Sequence, residues 1–447
     1  MKRTLLFALL VLAYQLGMAQ NITSFSFSNN IRNVIVRQQT NDHEVIYLES
    51  GNNHYLTYMN DPTSVRKLVI PNELEFHDMV IYNEYAYFCG TNTAIRKGIV
   101  GYFHIDSLFR GISNIYFYSN FQLNTSYVTS LDALTVYRGG LRQQLCIAAV
   151  GATSNKKACA MEIVKTLPHW RYTIGESTDA SESITNICHT DQYVVTAGTI
   201  HNNVDGINFR IYTKGMMFAS SGIQNNNHQY TSNGNSLNIE YPLAKFKMTT
   251  IDSNRVAVLS QWTTYGYPNE LSRGILTLVI DPYLTISTTG CNQIYSTLTN
   301  LEDATTNRSI DGLSFDGQNN GLHFLLRSNS PWGNQSIYGT MSLPPTTSMP
   351  VGYYQGYNYT AMDKLQNLSY MTLVGNLQSH PHKLIFSKRY LPLNTQCSNT
   401  ETLTNILDYT FSKKTGRVEF NTYVQTFNFY EAEVISHTSS LGNTECW

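Results

Sequence analysis

The chain has 447 residues, and its 30 Lys plus Arg stand against 31 Asp plus Glu for a formal net charge of −1. That balance lacks the basic footprint that nucleic-acid binding leaves, so no nucleic-acid partner is expected. Charged residues are only 14% of the chain, whereas 31 Tyr and 19 Phe are present, a composition suited to strands with a neutral polar surface.

In chain order, the first segment reads as a targeting signal. Lys2 and Arg3 form a positive start, Thr4 to Leu12 an apolar core, and Gly17-Met18-Ala19 a small-x-small cleavage site. The apolar run is shorter than the roughly 20 residues a spanning helix needs, and nothing later in the sequence reaches that length. The expectation is a signal peptide at 1–19 and one domain at 20–447, exported to the periplasm, the outer-membrane surface or the outside.

The remainder carries a degenerate repeat of about fifty residues. Its clearest copy runs His77 to Tyr82, Tyr85 to Gly90, and Gly98 to Asp106, with a fourth strand at Ile115 to Tyr118. Each copy is a short alternating strand, an apolar strand ending at Gly, a turn and a third strand. Further copies begin at Leu131, Ile184, Met248, Ile310 and Thr360, with weaker terminal ones near Arg32 and Thr404. Helical periodicity is almost absent. These features predict an all-β fold, a single β-propeller of about eight four-stranded blades, or seven if the two end copies share one blade. The strand at Thr23 to Ser28 is placed to complete the last blade. Tandem β-sandwiches are the architectural alternative.

Asp78 to Tyr82, Tyr85 to Gly90 and Gly98 to Phe103 together resemble a family of exported propeller-like proteins of Bacteroidetes. That resemblance implies fold and address and supplies no catalytic residues.

In an antiparallel meander, the turns between strands two and three share one face with the connections from strand four to the next blade. Three aromatic stretches fall on that face: Gln261 to Pro268, Ser330 to Gly333, and Val351 to Tyr359. Read as loops, they bring Trp262, Tyr265, Tyr267, Trp332, Tyr353, Tyr354 and Tyr357 into one sector. Rings flanked by Asn and Gln suit a glycan or a protein ligand.

Other candidates are weaker. His380-Pro381-His382 places two imidazoles at i and i+2, short of the four ligands zinc takes. Asp78, Asp132 and Asp311 read as one repeat position near the central channel, where short polar groups bond neighbouring backbone. Cys146 and Cys159 flank a turn around Ala152 to Lys156 and are placed to face one another, while Cys397 and Cys446 stand where they could tie the C-terminal segment down. No nucleophile elbow, P-loop, dinucleotide fingerprint or zinc-type spacing occurs, so no cofactor and no metal are expected. The reading is a non-catalytic binding or scaffold propeller. The alternative is a carbohydrate-active enzyme, a glycoside hydrolase or lyase with acids around an axial pocket.

Overall fold

The computed structural model describes the backbone between residues 22 and 439, with breaks between strands, the longest at 218–225, 233–246, 283–292 and 391–398. Side chains are described over most of 24–217 and 247–259, and within 279–282, 310–327, 336–343 and 358–388. The expected signal segment and Cys397 and Cys446 lie outside the described residues.

Among the described residues the strands form seven antiparallel sheets. In chain order they take residues 31–70, 74–118, 122–177, 182–232, 247–300, 307–355 and 357–390, here sheets one to seven. Sheets one to six each contain a consecutive four-strand meander, and sheet three adds the two-residue strand Gln122–Leu123 beside its first long strand. Sheet seven has three strands of its own, and its fourth is Ile22–Ser26, paired with Lys383–Tyr390 so that Thr23 opposes Phe386. The N-terminal strand thus completes a sheet as expected, but it is the sheet of the Thr360 copy and not one beginning near Thr404.

The first strand of each sheet packs against the first strand of the next, and the first strand of sheet seven packs against that of sheet one. Tandem sandwiches would not give this cyclic order. Apolar clusters fill the seams. One joins Tyr47 and Leu56 of sheet one to Phe76, Phe88 and Phe103 of sheet two. Another joins Phe25, Val374 and Phe386 to Val36 and Leu48, sealing sheet seven to sheet one. Beside that cluster, Asp363 accepts a bond from the Gln38 backbone N–H at 2.7 Å, and the Gln38 side-chain oxygen accepts one from Leu365 N–H at 3.0 Å. Second strands such as Gln144–Thr153 are buried almost throughout because a neighbouring sheet covers each face.

The Gly expected to end strand two lies inside it, since strand two runs two to four residues further, and its recurrence has a structural cause. Six of the seven first strands carry a β-bulge, with the extra residue at Asn33, His77, Asp132, Thr185, Asp311 or Thr360. In four sheets a glycine of strand two lies against that bulge. A Cβ on Gly90, Gly151, Gly198 or Gly375 would sit 1.8, 2.2, 1.7 or 2.1 Å from a first-strand carbonyl oxygen. Only a residue without a Cβ lets the bulged backbone approach so closely.

Two sequence expectations are corrected here. The segment around Thr404 builds no sheet of its own. Short strands from Asn399–Leu403 to Ile435–Ser439 pair antiparallel with the last strands of sheets six, five, four, three, two and one, in that order. Successive strands start about seven residues apart, roughly 23 Å of extended chain. The C-terminal segment thus covers six outer edges that would otherwise be open. The second correction concerns Cys146 and Cys159, which oppose Val164 and Gly151 rather than each other. Both are buried free thiols, as are Cys89 and Cys188, and burial pushes the Cys146 thiol up to about 12.

Candidate functional site: a tyrosine-lined cleft between two sheets

The turn Tyr82-Asn83-Glu84-Tyr85 joins the first two strands of sheet two, with Tyr82 paired to Tyr85. Asn83 adopts φ 56, a left-handed conformation Asn tolerates, which keeps the connection to two residues. Residues i and i+2 of a strand share a face, so Tyr85 and Tyr87 stand together. Tyr87 opposes Tyr102 on the third strand, and Tyr102 opposes Tyr116 on the fourth. Strand pairing therefore builds a continuous patch of phenol rings. Its centroid separations are 6.0 Å for Tyr85–Tyr102, 5.9 Å for Tyr87–Tyr102 and 5.4 Å for Tyr102–Tyr116.

Sheet three supplies the facing wall. Arg138 and Leu145 pair at the turn between its first and second strands, and Lys165 pairs with Trp170 at the turn between its third and fourth. The Trp170 ring lies 6.1 Å from Tyr102, and Lys165 Nζ lies 5.6 Å from the Trp170 centroid. Between the walls is a cleft of about 190 Å³ lined by Tyr82, Asn83, Tyr85, Tyr87, Tyr102, Arg138, Leu145, Lys165 and Trp170.

Burial raises the Tyr87 hydroxyl well above the ordinary phenol range; the neighbouring phenols Tyr85, Tyr102 and Tyr82 push the same way, and Arg138 opposes them. Burial, Tyr116 and Tyr85 raise Tyr102 likewise. These phenols are protonated at physiological pH and so can donate hydrogen bonds. Asp and Glu are missing from the nine lining residues, and the cleft holds no carboxylate pair for glycoside hydrolysis. At the rim, Glu84 is engaged by His104 at 3.2 Å, and His104 meets the Tyr85 ring edge to face.

The cleft opens where strands one and two, and strands three and four, are joined. That is the end opposite the sector expected from sequence. Of that sector, Trp262 and Tyr265 pair with Gly274 and Leu271 inside the ten-residue strand Val256–Tyr265. Tyr353 and Tyr354 pair with Ile337 and Ser336, and Tyr357 opens sheet seven opposite Leu377. The stretches read as loops are thus largely strand, because aromatic and β-branched residues extend the ladders. Tyr267 and Trp332 lie outside the described residues, as do the side chains of the other five.

The first-strand acids divide by the bulge. Asp132 and Asp311 occupy the bulged position with His77, while Asp78 lies one residue later, so the three do not share one register. Each makes a local contact. Asp78 meets Arg37 at 2.6 Å and accepts from the Leu134 N–H of the next sheet at 3.1 Å. Asp311 takes two bonds from Arg327, at 2.5 and 2.9 Å, and Asp132 lies 3.5 Å from His77. His380 and His382 meet edge to face at 5.8 Å, and the carbonyls of Pro381 and His382 accept from Ile31 and Phe27 N–H. Among the described residues no three His, Cys, Asp or Glu side chains gather for a metal.

Sequence reasoning missed the cleft residues. Their signal was the density of Tyr in the second repeat, which served there only as strand propensity and as a resemblance.

No protein-family model and no curated protein matches the chain. Among solved structures it is similar to the crystal structure of the WD40 domain of SCAP from fission yeast, at 8% identity over 89% of this chain and 94% of that one, with a TM-score of 0.34. So faint a likeness carries no argument about fold or role. The architecture rests on the strand pairing and the cyclic order of the sheets.

Proposed function

We propose that the chain is an exported, non-catalytic β-propeller of seven blades, closed by its N-terminal strand, that acts as a binding or scaffold module for a glycan or protein ligand. The observation that carries this reading is the tyrosine cleft. It is concave, ring-lined, bordered by two cations and free of carboxylates, and it lies at the mouth of a seam between two rigid sheets. Its phenols and indole offer flat apolar area with polar tips, at little cost in side-chain entropy. The closure reading is supported by the pairing of Ile22–Ser26 with sheet seven.

The test is a glycan array and a pull-down from extracellular and envelope fractions, using residues 20–447 and the variants Tyr85→Ala, Arg138→Ala and Trp262→Ala. Loss of ligand with the first two and retention with the third supports the cleft. Loss with Trp262→Ala alone moves the site to the other end. Turnover of a bound glycan into products would overturn the non-catalytic reading.

A further inference from the structure

We infer that the cleft between sheets two and three takes a single anionic pyranose unit, a sugar ring bearing a carboxylate or a sulfate. This rests on the reading of the cleft as a binding site and adds the chemistry of what it holds.

Size comes first. About 190 Å³ is below the roughly 300–1,000 Å³ of sites that enclose a drug-sized ligand, so the cleft accommodates one ring-sized group with the rest of the chain in solvent. The shape of the walls follows. Tyr102 is tilted 36° to Tyr87 and 35° to Trp170, so rings from both sheets border one narrow space. A saccharide ring can lay one face on such a ring-lined wall, whereas the flexible carboxylate arm of a peptide does not.

Charge completes the argument. Two cations line the space and no acid does. Arg138 donates to the Gln143 carbonyl at 3.3 Å and Lys165 sits over the Trp170 ring, and neither forms an ion pair among the described residues. Both are exposed, so their charged heads are open to a ligand. Glu84, in the turn beside Asn83 and Tyr85, is already engaged by His104. The whole chain carries a formal net charge of −1, so this is a local concentration of positive charge and not a generally basic surface. A guanidinium presents paired N–H groups that match a carboxylate or sulfate, while neutral phenols supply donors for ring hydroxyls.

Isothermal titration of residues 20–447 tests this, with galacturonate hexamer, its neutral methyl ester, a sulfated galactose hexasaccharide lacking carboxylates, and a hexaglutamate peptide. Expected are binding of the galacturonate or the sulfated oligosaccharide, at least tenfold weaker binding of the methyl ester, and no measurable binding of the peptide. The ratio of the first two identifies the anion. Arg138→Gln and Lys165→Gln, both at exposed positions, should each weaken the anionic sugar about tenfold while the melting curve stays put. Equal affinity for the hexamer and its ester, with Tyr85→Ala abolishing both, would overturn the anionic assignment and leave the binding site standing. Peptide binding as tight as sugar binding would assign the cleft to an acidic protein segment instead. Failure of all four probes would overturn the proposal, and ligand capture that survives Tyr85→Ala would overturn the binding site itself.

Discussion

Replacing Gly198 by Ala puts a methyl group where the bulged first strand of sheet four already stands. The added Cβ would lie 1.7 Å from the Ser183 carbonyl oxygen and 2.8 Å from Ile184 Cα. Non-bonded carbon and oxygen do not approach within about 3 Å, so the two strands must separate by more than 1 Å. Both lie in a close-packed interior, with Ile184 and Ala197 buried. Overpacking of this kind costs typically 1–3 kcal/mol, and a carbonyl cannot rotate aside as a flexible side chain can. We expect the upper part of that range for Gly198→Ala and for Gly90→Ala. Gly317→Ala is the control, since its Cβ would have 3.9 Å of clearance. It should stay within about 0.5 kcal/mol of the parent. Guanidinium unfolding followed by circular dichroism measures all three, read as a shift in midpoint at constant slope. If Gly198→Ala and Gly90→Ala unfold with the parent, the bulge is not the reason for glycine in the repeat.

Arg210 and Glu182 form a two-point ion pair at 2.8 and 2.5 Å, with side chains 2% and 0% exposed. Arg210→Met should cost about 3–5 kcal/mol by stranding a buried carboxylate, and Arg210→Met/Glu182→Leu should recover most of it in a double-mutant cycle. His189 is held neutral, its pKa lowered to about 4 by burial and by Lys214. Because the unfolded chain protonates this group near 6.5, its stabilising contribution is complete above that pH and is lost as pH falls toward 4; His189→Gln should flatten the unfolding midpoint across that window. A chain ending at 398 uncovers six sheet edges, so size-exclusion chromatography should show oligomers, and a monomer with an unchanged melting curve would contradict the role given to the C-terminal strands.

The repeat was legible because its strands and turns are local. Gly90, Gly151 and Gly198 recur after an apolar run and read as strand ends, but they lie inside their strands, and the reason for them is across the ladder in a bulge that no run of residues displays. Residue type aligns Asp78 with Asp132 and Asp311, whereas the pairing puts His77 in their position. Cys146 and Cys159 show a similar failure. Both are near the turn in sequence, yet only the pairing of Ala152 with Ala158 fixes that Cys159 meets Gly151. The aromatic stretches read as loops in the sequence, and the structure makes them largely strand for a physical reason as well. Tyr and Trp favour strands, so stretches such as Gln261 to Tyr265 extended their ladders. Tyr87, Tyr102 and Trp170, which looked like ordinary strand residues, were gathered by a cross-strand pair in sheet two and a contact from there to sheet three.

Hydrogen–deuterium exchange of residues 20–447, alone and with galacturonate hexamer, tests the central claim most directly because it compares both ends of the molecule at once. The account predicts slowed exchange at 82–87, 138–145 and 165–170 and no change at 261–268, 331–333 and 351–357. Protection confined to the second set would place the binding site at the other end and contradict it.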